Sequence, residues 1–482
     1  MIDSLIEERK KKLKNIKAKG VDPYPAESYR THTIGETLAS FNKLALAKKK
    51  VRLTGRLRAW RDQGGVVFGD LKDQSGVIQL VFKKEGFKDF DFWKENLDLG
   101  DFVEAGGTLF KTKKGQESLE VKSFRLLVKS LRAMPKDFYG ITEAETRLRQ
   151  RYLDIALNPE VRDIFIKKAK FWDSLRTELK SEGFLEVETP VLEAIPGGAD
   201  AEPFVTHHNA LDEDFYLRIS LEIALKKIMV AGYEKVFEIG RVFRNEGIDA
   251  EHLQDYTALE FYWAYADYND LMKLTEKMFK KTIKATCGTL TTTYKEQKIN
   301  WGKKWPQVDY YKIFKEKVGL DIKTATEADL FKKAVADGLK PEKNLGRGRL
   351  IDMLFKKIRH TLVQPCFLIN PPADLEPLAK RVYGDESKVA RFQIVAGGTE
   401  LGKGFSEAND PIDQRARFEE QMKLREQGDV EAQRLDEDFL EALEYGMPPT
   451  AGFGLSERVF AVLMDRPLRE TVFFPSMRRK KE

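Results

Sequence analysis

The stretch VFEIGRVFRNEGIDAEHLQDYTALEF, Val236–Phe261, consists of two alternating runs joined by a loop, which commits this part of the chain to paired strands. A period of two sends Phe237, Ile239 and Phe243 to one side and Gly240, Val242 and Arg244 to the other. The return run repeats the pattern, with Leu259, Phe261, Trp263 and Tyr265 on one face and Ala258, Glu260, Tyr262 and Ala264 on the other. One face is expected to be core and the other a small polar floor. A fixed guanidinium binds two oxygens of a carboxylate or phosphate, and a carboxylate beside a phenol suits an ammonium. Together they fit an amino acid meeting a nucleotide phosphate.

At 482 residues and 42% hydrophobic content the chain can bury substantial cores, and its length predicts two or more domains. No apolar run approaches the roughly 20 residues that span a bilayer, and MIDSLIEERKKKLKNIKAKG lacks the apolar stretch of a signal peptide, so a cytoplasmic location is expected. Cys287 and Cys366 are far apart, without histidine spacing, which indicates neither a disulfide framework nor a zinc site and favours buried, inert thiols. The formal charge of +6 is uneven: residues 1–140 hold 29 Lys and Arg against 19 Asp and Glu, +10, leaving −4 for the rest. A basic N-terminal third fits a polyanionic partner, although Lys10–Lys19 alone reads as a solvated helix face.

Residues 1–50 read as a helical extension, with a charged helix over 3–19 ended by Gly20 and a second helix over Ile34–Ala47. From Val51 five short strands in about 80 residues predict a Greek-key barrel of the oligonucleotide-binding type over 51–133. Residues 134–159 read as a linker, with Pro135 in the exit segment Met134–Tyr139. The remainder, 160–482, mixes helices and strands into a second, α+β domain: an antiparallel sheet flanked by helices, with a helical or inserted region at about 267–360.

Two further segments carry chemistry. In RFQIVAGGTELGKGFSE, Gly397-Gly398 is a two-residue hairpin turn, so Val395 pairs with Glu400, and Gln393 lies diagonally across on the same face. A carboxylate beside an amide oxygen suits a hard cation whose remaining ligands are phosphates and waters. In PPTAGFGLSERV, a glycine-rich turn opening a helix at Glu457-Arg458 allows close approach of an anion.

These three segments resemble the motifs of the class II aminoacyl-tRNA synthetases. The likeness covers nearly the whole chain: GDLKDQSGVIQL, TRLRQRYLDIALNPEVR, GFLEVETPVL, FRNEG, LEFYWAYADY and GFSEANDPIDQRARF. IPGGADAEPFVTHHNALD and LEYGMPPTAG are similar to the bacterial lysine-specific branch. The resemblance implies an OB-fold anticodon-binding barrel and a class II catalytic domain that activates lysine with ATP and Mg2+ and transfers it to tRNA(Lys), as a homodimer. It implies that Arg244 and Arg458 are catalytic and that Arg244, Glu246, His252, Tyr256, Glu400 and Arg458 hold ATP, with Tyr256 stacking on adenine. Gly198, Glu222, Arg244, Glu260, Tyr262, Glu407 and Lys403 would line the lysine site. Glu400, Glu407 and Gln393 would face the metal, Phe68 and Gln79 the anticodon bases, and Pro190 the dimer interface.

The chain departs from the family pattern at four places. Gln393 replaces a usual glutamate, Lys403 a usual asparagine, and Glu251 and Leu253 a usual arginine and asparagine, which predicts a looser ATP loop. GFGLSER is one residue shorter than the usual turn. Two alternatives follow: a catalytically weakened relative acting as an RNA-binding or regulatory protein, or a ligase that attaches lysine to a protein.

Overall fold

A computed structural model describes residues 2–135, 143–247, 252–342, 345–428 and 432–478. The chain divides into two compact units, residues 1–142 and 143–482. Much of the segment read as an exit linker lies outside the described residues; beyond it, Ala144–Arg149 and Arg151–Leu157 are helical.

In the first unit, strands Val51–Asp62, Val66–Lys72, Val77–Lys83, Phe102–Lys111 and Glu117–Val128 close into a barrel in the order first, second, third, fifth, fourth. Alternate side chains such as Leu53, Leu57, Val67, Leu71, Leu80 and Val103 fill it, as a closed sheet with one apolar face requires. A short helix, Phe90–Asn96, not expected from the sequence, buries Phe90 and Trp93. The N-terminal helix Ile2–Ala18 is held by buried Ile16 and by Arg9, whose guanidinium donates to the carbonyls of Leu99, Ser130 and Arg132, each at 3.0 Å. The helix expected over 34–47 is two, Ile34–Ala39 and Phe41–Leu46. They meet at Ser40, and the first is started by a Thr33–Glu36 capping box.

The second unit is built on an eight-stranded sheet. Its order is Gln307–Asp309, Cys366–Ile369, Arg391–Ala396, Thr399–Ser406, Thr450–Ser456, Asp255–Ala264, Lys235–Phe243 and Leu185–Glu186. All pairings are antiparallel except the two outermost. Helices Pro159–Ser181 and Tyr268–Cys287 cover one face, where Phe237, Leu259, Phe261, Phe392 and Phe453 join one core cluster with their Leu175, Leu179, Met278 and Phe279. Tyr268–Cys287 therefore belongs to the main core, whereas helices Tyr310–Val318, Glu327–Ala336 and Arg347–Arg359 gather around a smaller one.

The other face is not merely a polar floor. Val236, Val242, Ala258, Tyr262, Ala264 and Phe405 join a second apolar cluster with helices Glu222–Val230 and Glu437–Glu444. Alternation assigned the faces, but both are roofed by helices, and the polar groups lie in the gap between apolar packing.

Candidate active site

The antiparallel registers align Gln393, Lys403, Gly454, Glu260 and Glu238 in one row across five strands, roughly 19 Å at the usual strand spacing. The next row is Phe405, Gly452, Tyr262 and Val236. A β-bulge sets both rows. Val395 pairs with Glu400 across the Gly397-Gly398 turn as expected, but Ile394 pairs with Gly402, so Leu401 is the extra residue. Without it every residue after 401 would face the opposite side; with it Glu400, Lys403 and Phe405 share one face.

Gly452 and Gly454 lie within strand Thr450–Ser456, not in a turn as the sequence suggested. A Cβ at Gly452 would overlap Glu407 Oε1 and the Tyr262 ring, and one at Gly454 would press on Glu260. These glycines keep the floor bare so that acids from neighbouring strands can lie over it.

Glu260 accepts from Ser220 Oγ at 2.8 Å and Leu221 N at 3.0 Å through Oε1, and from the Tyr262 hydroxyl at 3.2 Å through Oε2. Burial, reinforced by Glu222, Glu260 and Glu407, holds the Tyr262 phenol well above its ordinary pKa, so it remains a donor. Opposite Glu260, Glu238 is kept apart by its own ligands: Arg218 at 2.7 Å and the Thr189 hydroxyl at 2.7 Å. Gly198, at φ +82°, lies against Glu222 and Ser220, where any side chain would collide; its N–H donates to Gln433 at 3.3 Å.

Glu222 and Glu407, both buried, share Lys226, at 2.6 Å from the first and 2.5 Å from the second. Burial pushes both carboxyls up against the pull of Lys226, and the two acids in turn hold the ammonium in its charged form. Lys403 donates to Glu376 at 2.8 Å, with Arg391 Nε 3.5 Å from the same carboxylate. Its side chain is 35% exposed, so it faces the cleft while remaining paired. Lys226 and Glu376 escaped the sequence reading. The one mark of Lys226 is its place one turn after Glu222 in the apolar helix EIALKKIMV.

At the other end, Arg244 Nε donates to Ile219 O at 3.3 Å and the guanidinium lies 5.6 Å from the Tyr256 ring centre. Burial raises the Tyr256 hydroxyl, with Glu246 acting in the same direction and Arg244 and Arg458 against it. His252 is half-buried, and Glu251 lies outside the described residues. Leu253 is buried against Ala461 and Leu468, an apolar contact in place of a polar one. The shortened turn is likewise fastened, since buried Glu457 accepts from Thr257 N at 3.0 Å and from Lys168 at 2.8 Å.

Of the expected metal ligands, Gln393 and Glu400 are in contact with each other. Gln393 turns its NH2 onto Glu400 at 2.8 Å, so it holds the carboxylate and does not offer an oxygen beside it. Glu407 Oε2 lies 2.5 Å from the Lys226 ammonium. Among the described residues no group of three His, Cys, Asp or Glu could hold a metal ion. Glu400 remains, a single carboxylate that fits Mg2+ when phosphates supply most of the shell.

In the barrel, Phe68 and Gln79 lie on one outward face, since Asp70 is directly opposite Gln79 and Phe68 is two residues before Asp70. Pro190 is exposed next to Val191 and Leu192. Leu192 and Val205 belong to the small sheet formed by Leu192–Glu193, Val205–His208 and Glu213–Leu217, and both are exposed.

Glu193, in that sheet, has a buried oxygen with no hydrogen-bond partner among the described residues, and burial pushes its pKa up to about 8 from 4.5. A carboxyl raised on folding favours the native state below its unfolded pKa, and the benefit is lost as pH climbs from about 4.5 to 8. Because the residue keeps partial exposure, Glu193→Gln is expected to stabilise by about 1–2 kcal/mol at pH 9 and hardly at all at pH 5. Thermal melts at both pH values check it, and a gain equal at the two would contradict the assignment.

Residues 143–478 match the family model for tRNA synthetases class II (D, K and N), and residues 51–129 match that for the OB-fold nucleic acid binding domain. A lysine–tRNA ligase of Roseiflexus castenholzii is 43% identical over 484 residues, covering 99% of each chain. Those of Oceanobacillus iheyensis and Carboxydothermus hydrogenoformans are 42% and 41% identical, covering 98% or more of each chain. The chain belongs to the class II tRNA synthetases of the D, K and N group, joined to an OB-fold barrel.

Proposed function

We propose that this chain activates L-lysine with ATP to lysyl-adenylate and transfers the lysyl group to the 3′ end of tRNA(Lys). The observation that carries the reading is the half-compensated acid cluster of Glu222, Glu260 and Glu407 beside Tyr262, on the same sheet face as Arg244. Whole-chain likeness to lysine–tRNA ligases supports it.

Lysine enters with its α-ammonium toward Gly198, Glu222 and Glu260 and its side-chain ammonium toward Tyr262 and Glu407. Its carboxylate then meets Arg244. The carboxylate oxygen attacks the α-phosphorus of ATP, and the bond to pyrophosphate breaks. Arg244 steadies the charge that builds on the phosphorus oxygens, a site fixed before reaction. Tyr256 stacks on the adenine and Arg458 pairs with the γ-phosphate end, with Glu246 and His252 also holding ATP. Glu400 would hold Mg2+, which neutralises phosphate charge; Gln393 orients that carboxylate. Lys403, paired with Glu376, does not confront the substrate as a bare cation. The 3′ ribose hydroxyl of tRNA then attacks the carbonyl of the adenylate and takes the acyl group, the anhydride bond breaking to release AMP and the hydroxyl giving up its proton. The described residues include no helix long and apolar enough to cross a membrane, and a cytoplasmic homodimer joined through the Pro190 surface completes the reading.

ATP–pyrophosphate exchange measured with each of the twenty amino acids tests it, and absence of exchange with lysine would sink it in favour of the weakened RNA-binding relative. Dependence of charging on a UUU anticodon excludes the protein-modifying alternative. Phe68→Ala is expected to lower kcat/KM for tRNA charging roughly ten- to a hundredfold, the worth of one stacked base, with pyrophosphate exchange unchanged. Loss of both activities would mean that Phe68 supports the fold and not the anticodon.

A further inference from the structure

The strand that carries Tyr256 and the turn that carries Arg458 are joined by a contact that backbone alone could not make. Strand Asp255–Ala264 pairs antiparallel with Thr450–Ser456, and the last pair is Ala258 with Ser456. One step further, the same register sets Thr257 against Glu457. Alternate pairs of an antiparallel ladder exchange two bonds, the N–H of each residue donating to the carbonyl of the other. The first of these is present: Glu457 N donates to Thr257 O at 3.3 Å. The second is not available from the backbone, because the chain has already turned into helix Arg458–Met464 and the Glu457 carbonyl accepts from Ala461 N at 3.1 Å. Thr257 N donates to Oε1 of the Glu457 carboxylate instead, at 3.0 Å. The side chain takes the place of its own carbonyl, and the ladder runs one step beyond the strand.

Two cationic side chains fix that carboxylate. Lys168, from helix Pro159–Ser181, donates to Oε2 at 2.8 Å and to Thr471 O at 2.9 Å. Arg241 Nη1 lies 3.5 Å from Oε1 and donates to the Thr257 hydroxyl at 3.1 Å. Glu457 is fully buried, so its carboxylate is held by these groups and not by solvent. Tyr256 directly precedes Thr257, and Arg458 directly follows Glu457. The carboxylate therefore sets the spacing between the ring expected on the adenine and the guanidinium expected at the γ-phosphate end of ATP.

We infer that Glu457 is a positioning residue for ATP: its carboxylate closes the ladder between Thr257 and the turn of Arg458, and so holds Tyr256 and Arg458 at the spacing the nucleotide needs. This rests on the ATP site proposed above. The role depends on reach and on an acceptor oxygen. Removing one methylene withdraws that oxygen by about 1.5 Å, the length of a carbon–carbon bond, and leaves the Thr257 N–H without its partner.

The test is titration calorimetry of ATP without amino acid, together with KM for ATP and for lysine in pyrophosphate exchange, all on the full-length protein. Glu457→Asp is expected to weaken ATP binding and raise KM for ATP roughly ten- to a hundredfold, with KM for lysine within about twofold of wild type. Glu457→Gln combined with Lys168→Met keeps the reach and the acceptor while removing both charges, so that neither is left buried alone. That pair is expected to keep ATP affinity within about threefold of wild type. Should the aspartate variant not fold, Glu457→Asn combined with Lys168→Met is compared with the glutamine pair, from which it differs by one methylene, and the same loss of ATP affinity is expected. Wild-type ATP affinity in the shortened variants overturns the inference. Equal rises in the two KM values overturn it as well, as does a glutamine pair that loses as much as the shortened side chains. Wild-type protein that binds ATP yet exchanges no lysine fails the function proposed above, while the ATP affinities still decide the inference; wild-type protein that binds no ATP overturns it.

Discussion

Arg244→Ala is expected to abolish adenylate formation, lowering kcat/KM for lysine-dependent pyrophosphate exchange by roughly a thousandfold or more, as loss of a preorganised oxyanion donor does in a dry site. The reason is local. Arg244 follows directly on strand Lys235–Phe243, with its backbone tied to Gln254 O at 2.8 Å, so the guanidinium is delivered by the sheet and not by the loop beyond it. One nitrogen is anchored on Ile219 O, and the plane lies over Tyr256. Such a group costs no rearrangement at the moment of reaction, whereas water filling the alanine cavity would have to reorient. Stability should hardly change, because the side chain is half-exposed and belongs to none of the buried clusters. An unchanged melting temperature with no exchange activity is therefore the expected pair of results; retained exchange would overturn the role, and a large fall in melting temperature would make it structural.

The parts of the fold written in alternation were legible. Period two placed Phe237, Leu259 and Phe261 on one face, and Gly397-Gly398 fixed a turn whose register put Gln393 within 2.8 Å of Glu400. Other features leave no such mark. The bulge at Leu401 decides which face carries Lys403; Gly402 follows it directly, but a glycine inside a strand marks a close approach as readily as a bulge, and the one-residue slip depends on the partner strand. Gly452 and Gly454 read as a turn because glycine is equally at home in a turn and under a close neighbour, and only the overlying Glu407, Tyr262 and Glu260 distinguish the two. Leu253 read as a lost polar contact because its apolar partners, Ala461 and Leu468, lie some two hundred residues away. Lys226 and Glu376 were invisible for a similar reason: their meaning lies in partners contributed by other elements.

Glu407→Gln is expected to raise KM for lysine about a hundredfold while KM for ATP stays within about twofold. The substitution keeps the size of a fully enclosed side chain, so packing against Gly452 and Tyr262 survives. What it removes is one charge. Lys226 then pairs with Glu222 alone, a neutral couple, and the pocket loses the negative charge that a substrate ammonium would balance. A hydrogen bond to a charged group is worth about 1.5–3 kcal/mol, and about 1.4 kcal/mol is a factor of ten, which sets the expected size. The ATP term should stand still because Glu407 is committed to Lys226, whereas Glu400 carries its own contact with Gln393. The same measurement separates the two roles the sequence left to this residue. If Glu407 held the metal, KM for ATP and the Mg2+ dependence would shift with the lysine term; a change confined to lysine identifies its carboxylate as the seat of the substrate ammonium.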